Sequence, residues 1–194
     1  MTRLHDMGGR FGDGPVVPEA EHVKFHADWH PRALAITLAC GSLGLWNIDT
    51  SRHARESLSP ADYGQFSYYE KWISALADLL VAKGAVSQDE LAAGLAMGTS
   101  ALSARKLRAD TVADVLAKGG PADRPSDVAP LFVSGDAVTV RPFAENRVVP
   151  GGHTRLPVYA RGAKGRVLRV HGSHVLPDSN AHALGEAPEP LYAV

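Results

Sequence analysis

The sequence predicts an α+β protein: an extended N-terminal arm (1–31), a mainly helical domain (32–120), a linker (121–130) and a small β-barrel domain (131–194). Three observations carry that prediction. Between Phe66 and Lys83 the apolar residues Tyr69, Trp72, Ile73, Leu76, Leu79 and Leu80 recur at helical spacing. The stretch GGPADRPSDVAP, Gly119 to Pro130, has the composition of a linker, and the domain boundary is expected near residue 125. Beyond it, short valine-containing runs are separated by glycine turns, the pattern of a small barrel.

Each element has its own signal. In the first 31 residues Gly8, Gly9, Gly12, Gly14, Pro15 and Pro18 break any helix, and Phe11, Phe25 and Trp29 favour a segment laid along a partner. Pro31 opens a helix that runs through Ala33, Leu34, Ile36, Leu38 and Cys40 towards Gly41 and Gly44. Asp49 or Thr50 is expected to cap a short helix carrying Arg52, Arg55 and Glu56, with Arg52 and Glu56 on one face. Ser59-Pro60-Ala61-Asp62 starts another helix.

The long apolar stripe follows, ended by Gly84, with Lys83 suited to the negative helix end. Ser87 and Glu90 form a capping box ahead of Leu91. Residues 98–109 read as a loop, and a short helix is expected from Asp110 to Ala117. In the C-terminal part, strands are expected around Val138 and Val140, from Arg166 to Val170, and from Glu189 to the end. Gly135-Asp136, Lys164-Gly165 and His171-Gly172 are read as turns.

Composition excludes several function classes. With 20 basic and 21 acidic side chains the formal net charge is -1, so a general electrostatic grip on nucleic acid or an anionic membrane is not expected. No apolar run approaches membrane-spanning length, and the N-terminus lacks the apolar core of a signal sequence, so a cytoplasmic protein is expected. The single cysteine, Cys40, excludes an internal disulfide and a multi-thiolate metal site made by this chain. His22 and His26 share helical spacing, but they lie in a stretch with no helical period.

The densest chemistry lies in PGGHTRLPVYARGAKGRV, Pro150 to Val167, with Arg155, Arg161, Lys164 and Arg166 among turn residues. Arg155 stands between a Gly-Gly turn and Pro157, where the backbone is stiff. A guanidinium on such a backbone is aimed, and its planar fork suits an oxyanion or carboxylate. Tyr68 and Trp72, four apart, fall on one helical face.

At this point the residues carry a resemblance. HDMGGRFGDGPV near the start, WNIDTSRHARE and SYYEKW in the middle, and GHTRLPVYARGAKGRV with PDSNAH and GEAPEPLYAV at the end, in that order, resemble the β subunit of nitrile hydratase from His5 to Val194. The resemblance implies an arm wrapping an α subunit, a helical domain and an SH3-like barrel of the electron transport accessory type. It implies hydration of a nitrile to an amide by an αβ heterodimer or α2β2 heterotetramer. The centre is non-corrin cobalt or non-haem iron, held by oxidised cysteines of the α subunit, so this chain would hold no metal or other cofactor.

By motif, the family's two arginines that hydrogen-bond the oxidised cysteines fall on Arg52 and Arg155, and its pocket-lining aromatics on Tyr68 and Trp72. Residues before Arg52, including Ile48, are expected to shape the substrate channel. Trp72, where the iron type tends to have tyrosine, leans the expectation to cobalt. Lys71 stands where histidine is often found, so that histidine's role does not transfer. Family members usually continue beyond the final Tyr-x-Val. The resemblance therefore implies a barrel truncated at its C-terminus, with an open edge.

Three other readings compete. A β-like subunit of thiocyanate hydrolase would carry the two halves on separate chains, whereas here they are joined. A metallochaperone, or activator, of nitrile hydratase should lack GHTRLPVYARG. A nucleic-acid-binding barrel built on Arg155, Arg161, Lys164, Arg166 and Arg169 lacks an aromatic platform and a basic net charge.

Overall fold

The computed structural model describes residues 14–15, 17–143 and 145–194, so the glycine-rich start and Phe11 lie outside the described residues. The described residues form two compact units, one ending at Ala117 and one spanning Lys118–Val194.

The first unit is helical: α1 His30–Gly41, α2 Ile48–Glu56, α3 Pro60–Gln65, α4 Tyr68–Ala82, α5 Gln88–Ala93, and α6 from Val112. Helix α4 packs against both α1 and α2. Its buried residues Ala75, Leu76 and Leu79 meet Ala33 of α1 in the core. The apolar stripe is thus the face that buries, as its 3.6-residue period requires. Phe66 is not part of this helix. It closes α3 in an extended conformation, and α4 starts after Ser67, whose backbone N–H donates to Glu70 Oε2 at 2.7 Å.

The aromatics of the expected arm that are described find partners within this unit. Phe25 stacks on Tyr69 at 5.9 Å and Trp29 meets His30 edge-on at 4.4 Å, although both remain over a third exposed.

Two local expectations are corrected. Helix α2 is capped by Asn47, not by Asp49 or Thr50: Asn47 Oδ1 accepts from Thr50 N at 2.9 Å and from Thr50 Oγ1 at 3.1 Å. A cap belongs immediately before the first helical residue, Ile48, where its side chain can accept from the otherwise unpaired N–H of the third helical residue, Thr50. Residues 98–109, read as a loop, contain a 3-10 helix at Ala101–Arg105, with Ser100 Oγ accepting from Leu102 N. The capping box expected at Ser87 and Glu90 opens α5, with bonds of 3.1 and 2.8 Å.

The second unit holds two separate two-stranded antiparallel sheets, with no closed barrel among the described residues. Strand β1 Ala137–Thr139 pairs with β2 Lys164–Arg166, with Val138 opposite Gly165. Strand β3 Arg169–His174 pairs with β4 Glu189–Ala193, with Val170 opposite Tyr192. The expected Arg166–Val170 strand is therefore two strands, and Lys164-Gly165 is strand rather than turn. His171-Gly172 is also strand, at a register shift between Val170 and Ser173 where Gly172 takes a φ of +83°. A glycine there lets the ladder bulge and continue instead of reversing.

A short helix, α7 Pro177–Asn180, connects β3 to β4. Part of the stretch expected as a linker is held on this unit. Asp123 bridges to His174, and Arg124 forms a fork on Glu186 with two bonds of 2.8 Å.

Candidate functional site

Helices α2, α3 and α4 line an open recess of about 220 Å³ formed by Arg52, Arg55, Glu56, Tyr63, Tyr68, Lys71 and Trp72. Three of the five site residues expected from the sequence, Arg52, Tyr68 and Trp72, therefore share one cavity. Tyr68 and Trp72 sit one turn apart on α4 with ring centroids at 5.3 Å, and Tyr69 packs on Trp72 at 5.8 Å. Tyr68 is 63% exposed, so it is not a core residue. The fourth, Ile48, opens α2 one turn before Arg52 and is 61% exposed without lining this recess.

Arg52 does not pair with Glu56 as its spacing predicts. Its Nη1 lies 3.4 Å from Oδ1 of Asp49, three residues earlier on α2, whose side chain is 9% exposed. Asp49 turns inward at the positive end of the helix, where its charge is favourable, and so draws the arginine back along the helix. No other hydrogen bond ties Arg52 among the described residues, which leaves most of the fork available.

The neighbours were not singled out as site residues from the sequence. Arg55 lies with its guanidinium carbon 4.3 Å from the centroid of the Trp72 ring, and the Lys71 ammonium lies 4.3 Å over Tyr63. Burial, joined by the nearby charge of Arg52, lowers the pKa of Arg55 from its ordinary value, against the raising effects of Tyr68 and Glu56. Burial, then the Glu56 carboxylate, raises that of Tyr63. A larger recess of about 770 Å³ at the far end of α4, around Lys83, Val86, Leu91, Leu95 and Leu102, contains none of the expected residues. Its lining is mostly aliphatic and offers little convergent chemistry, so size alone does not make it the site.

Arg155, the fifth expected residue, belongs to the second unit. Its loop is built around Asn146, which the sequence did not single out. Asn146 Nδ2 donates to His153 O at 2.7 Å and to Asp178 O at 2.9 Å, and its Oδ1 accepts from Val148 N and Val149 N at 2.8 and 2.9 Å. His153 is buried, and its backbone N–H donates to His182 Nε2 at 3.0 Å.

The two glycines have separate tasks. Gly151 turns the chain at a φ of +70°, while a Cβ on Gly152 would stand 2.6 Å from His182 Nε2 and 2.8 Å from Asn146 Nδ2. The second glycine is thus needed for close approach. After this anchored turn comes Arg155, exposed and without a hydrogen bond or ion pair among the described residues. Arg161 and Arg166 are engaged within the unit, Arg161 at 4.0 Å from Glu145 and Arg166 on Gly135 O at 2.9 Å.

A cysteine-held metal does not fit this chain's residues. Its one cysteine, Cys40, is half-buried on α1, and burial raises its pKa, which favours the protonated thiol over the thiolate that ligates metal.

Comparison with known proteins covers both units. Residues 1–116 match the family described as nitrile hydratase beta subunit, N-terminal, and residues 121–194 that described as nitrile hydratase beta subunit, C-terminal. The chain is 36% identical to the low-molecular weight cobalt-containing nitrile hydratase subunit beta of Rhodococcus rhodochrous, across all of this chain and 87% of that protein. It is 34% identical to the nitrile hydratase subunit beta of Pseudomonas putida, covering 86% of it. It is 31% identical to the cobalt-containing subunit beta of Pseudonocardia thermophila, covering 84% of it. Matched along its whole length by both halves of one subunit type, the chain belongs to the nitrile hydratase β-subunit family.

Proposed function

We propose that this chain is the β component of a nitrile-hydrating αβ complex, with the metal centre on the α-type partner. The observation that carries the reading is the pairing of full-length family membership with a recess that gathers Arg52, Tyr68 and Trp72. The Lewis-acid chemistry belongs to the partner's metal, cobalt being favoured by the names of two relatives.

This chain's share is positioning. Arg52 and Arg155 offer guanidinium forks to the anionic oxygens of the partner's oxidised cysteines, which need donors that never deprotonate. Arg155 suits that task because it is exposed and has no partner within the described residues, while Asn146 fixes the turn that precedes it. Arg52 suits it because a single long contact to Asp49 steadies the side chain without occupying the whole fork. Tyr68 and Trp72 form the apolar wall against which a small nitrile packs, and Ile48 extends that surface one turn along α2.

In this reading the second unit forms part of an SH3-like barrel, and residues 1–31 lie along the α-type partner. The complex works in the cytoplasm, as an αβ pair or a dimer of such pairs. The test is co-expression with the α-type subunit from the same source, followed by an assay for amide formation. A stable heteromer that converts nitrile to amide supports the reading, and a heteromer without turnover refutes it.

A further inference from the structure

Arg55 is held in a way that its neighbours on α2 are not. Its Nε donates to the carbonyl oxygen of Ser51 and its Nη2 to Ser51 Oγ, both at 3.1 Å and both on the preceding turn of the same helix. Two donors from one planar group fix the plane as well as the position. The guanidinium carbon lies over the Trp72 ring, 4.3 Å from its centroid. The indole also meets the rings of Tyr68 and Tyr69 at centroid distances of 5.3 and 5.8 Å. Burial partly desolvates the guanidinium and lowers its pKa, and desolvation strengthens a cation–π contact. A tryptophan side chain otherwise keeps broad freedom about its second torsion.

We propose that Arg55 is a specificity-determining positioning residue: tethered to Ser51, it clamps the Trp72 indole as a fixed wall of the recess and so sets the shape of nitrile the site accepts. The proposal rests on the nitrile-hydrating reading above and deepens it. With the wall fixed, a short aliphatic nitrile is packed and oriented, whereas a flat aromatic nitrile needs the indole to swing away. Loss of the clamp lets the wall move, weakening the hold on the small substrate and admitting the large one.

The test uses the assembled complex with its α-type subunit, as wild type, Arg55→Leu and Arg55→Lys. Leucine keeps the helical propensity and much of the bulk but has neither the fork nor the charge. Values of kcat and KM are measured for acrylonitrile and benzonitrile. In Arg55→Leu the benzonitrile-to-acrylonitrile ratio of kcat/KM is expected to rise about five- to tenfold, mainly through KM. Arg55→Lys, which keeps the cation but not the fork that grips Ser51, is expected to give a ratio between those of wild type and Arg55→Leu. An equal loss for both nitriles would make Arg55 merely structural and overturn the proposal.

A second readout does not depend on turnover. With 5-fluorotryptophan incorporated, the Trp72 fluorine signal, assigned by its disappearance in Trp72→Phe, is expected to shift or broaden in Arg55→Leu. An unchanged signal would show that no clamp exists. Absence of nitrile turnover in the wild-type complex would remove the functional reading and the specificity with it, while the fluorine signal would still decide whether Arg55 holds the indole.

Discussion

The side-chain amide of Asn146 donates to the carbonyl oxygen of His153 at 2.7 Å, and Arg155 stands two residues further on. Asn146 thus closes the turn 146–153 from inside, using both donors and both acceptor positions. An arginine exposed to solvent is usually mobile. Here the backbone that carries it is fixed by a buried hub on one side and Pro157 on the other.

Replacing Asn146 by alanine leaves two backbone carbonyls and two backbone N–H groups without these partners. The expected cost is about 2–4 kcal/mol of stability, seen as a lower thermal midpoint of the assembled complex. Amide formation should fall further than stability alone explains, because the turn before Arg155 is loosened. An unchanged melting curve would show that Asn146 is dispensable.

Arg155 behaves in the opposite way. Because it is exposed and unpaired among the described residues, Arg155→Lys should change stability by no more than about 0.5 kcal/mol. The same substitution should lower kcat/KM for nitrile hydration roughly 100-fold or more, since an ammonium cannot reproduce a planar fork. Arg52→Lys should act in the same direction. Full activity of both variants would remove them from the proposed machinery.

Gly152 tests the close approach. In Gly152→Ala the new methyl meets His182 Nε2, Asn146 Nδ2 and the carbonyl oxygen of Val149, at 2.6, 2.8 and 2.9 Å. One of those atoms is the Asn146 amide nitrogen and another, His182 Nε2, accepts from the His153 N–H, so the collision cannot be relieved without disturbing the hub. The expected loss is about 1–3 kcal/mol, measured by chemical denaturation of the complex. Gly151→Ala is strained for a different reason, its φ of +70°.

Acid sensitivity follows from the helix caps and one ion pair. Glu70 is held below its ordinary pKa by the Ser67 hydroxyl and backbone N–H, Glu90 by the backbone N–H groups of Ser87 and Met97, and Glu186 by the Arg124 fork. A carboxylate whose folded pKa is depressed stabilises the folded state above its unfolded value, about 4.3. That contribution is lost as pH falls through the lower folded value. Unfolding midpoints should therefore decline below about pH 4.3, and Glu90→Gln should flatten that decline. All three groups are exposed, so salt should weaken the ion-pair part of the effect.

The sequence made some of this legible and hid the rest for physical reasons. Helix α4 was visible because one buried face imposes one period, and α5 because Ser87 and Glu90 satisfy each other's backbone groups within four residues. The recess was half visible: Tyr68 and Trp72 are neighbours on one helix, whereas Arg55 reaches Trp72 only because α2 packs on α4, which no local spacing encodes. Asn146 was hidden because its partners are loop carbonyls and N–H groups with no sequence signature. The split of Arg166–Val170 into β2 and β3, and the passage of β3 through His171-Gly172, escaped for a related reason. A glycine that bulges a strand looks in sequence like one that ends it.

The most direct measurement is of the complex itself. The chain is co-expressed with the α-type subunit of the same source, the heteromer is isolated by size exclusion, and its metal content and acrylonitrile hydration are determined together. The expected result is a stable heteromer with about one cobalt or iron per αβ pair and acrylamide as product. A complex that passes metal to the α-type subunit and then dissociates, with no turnover while assembled, would contradict it.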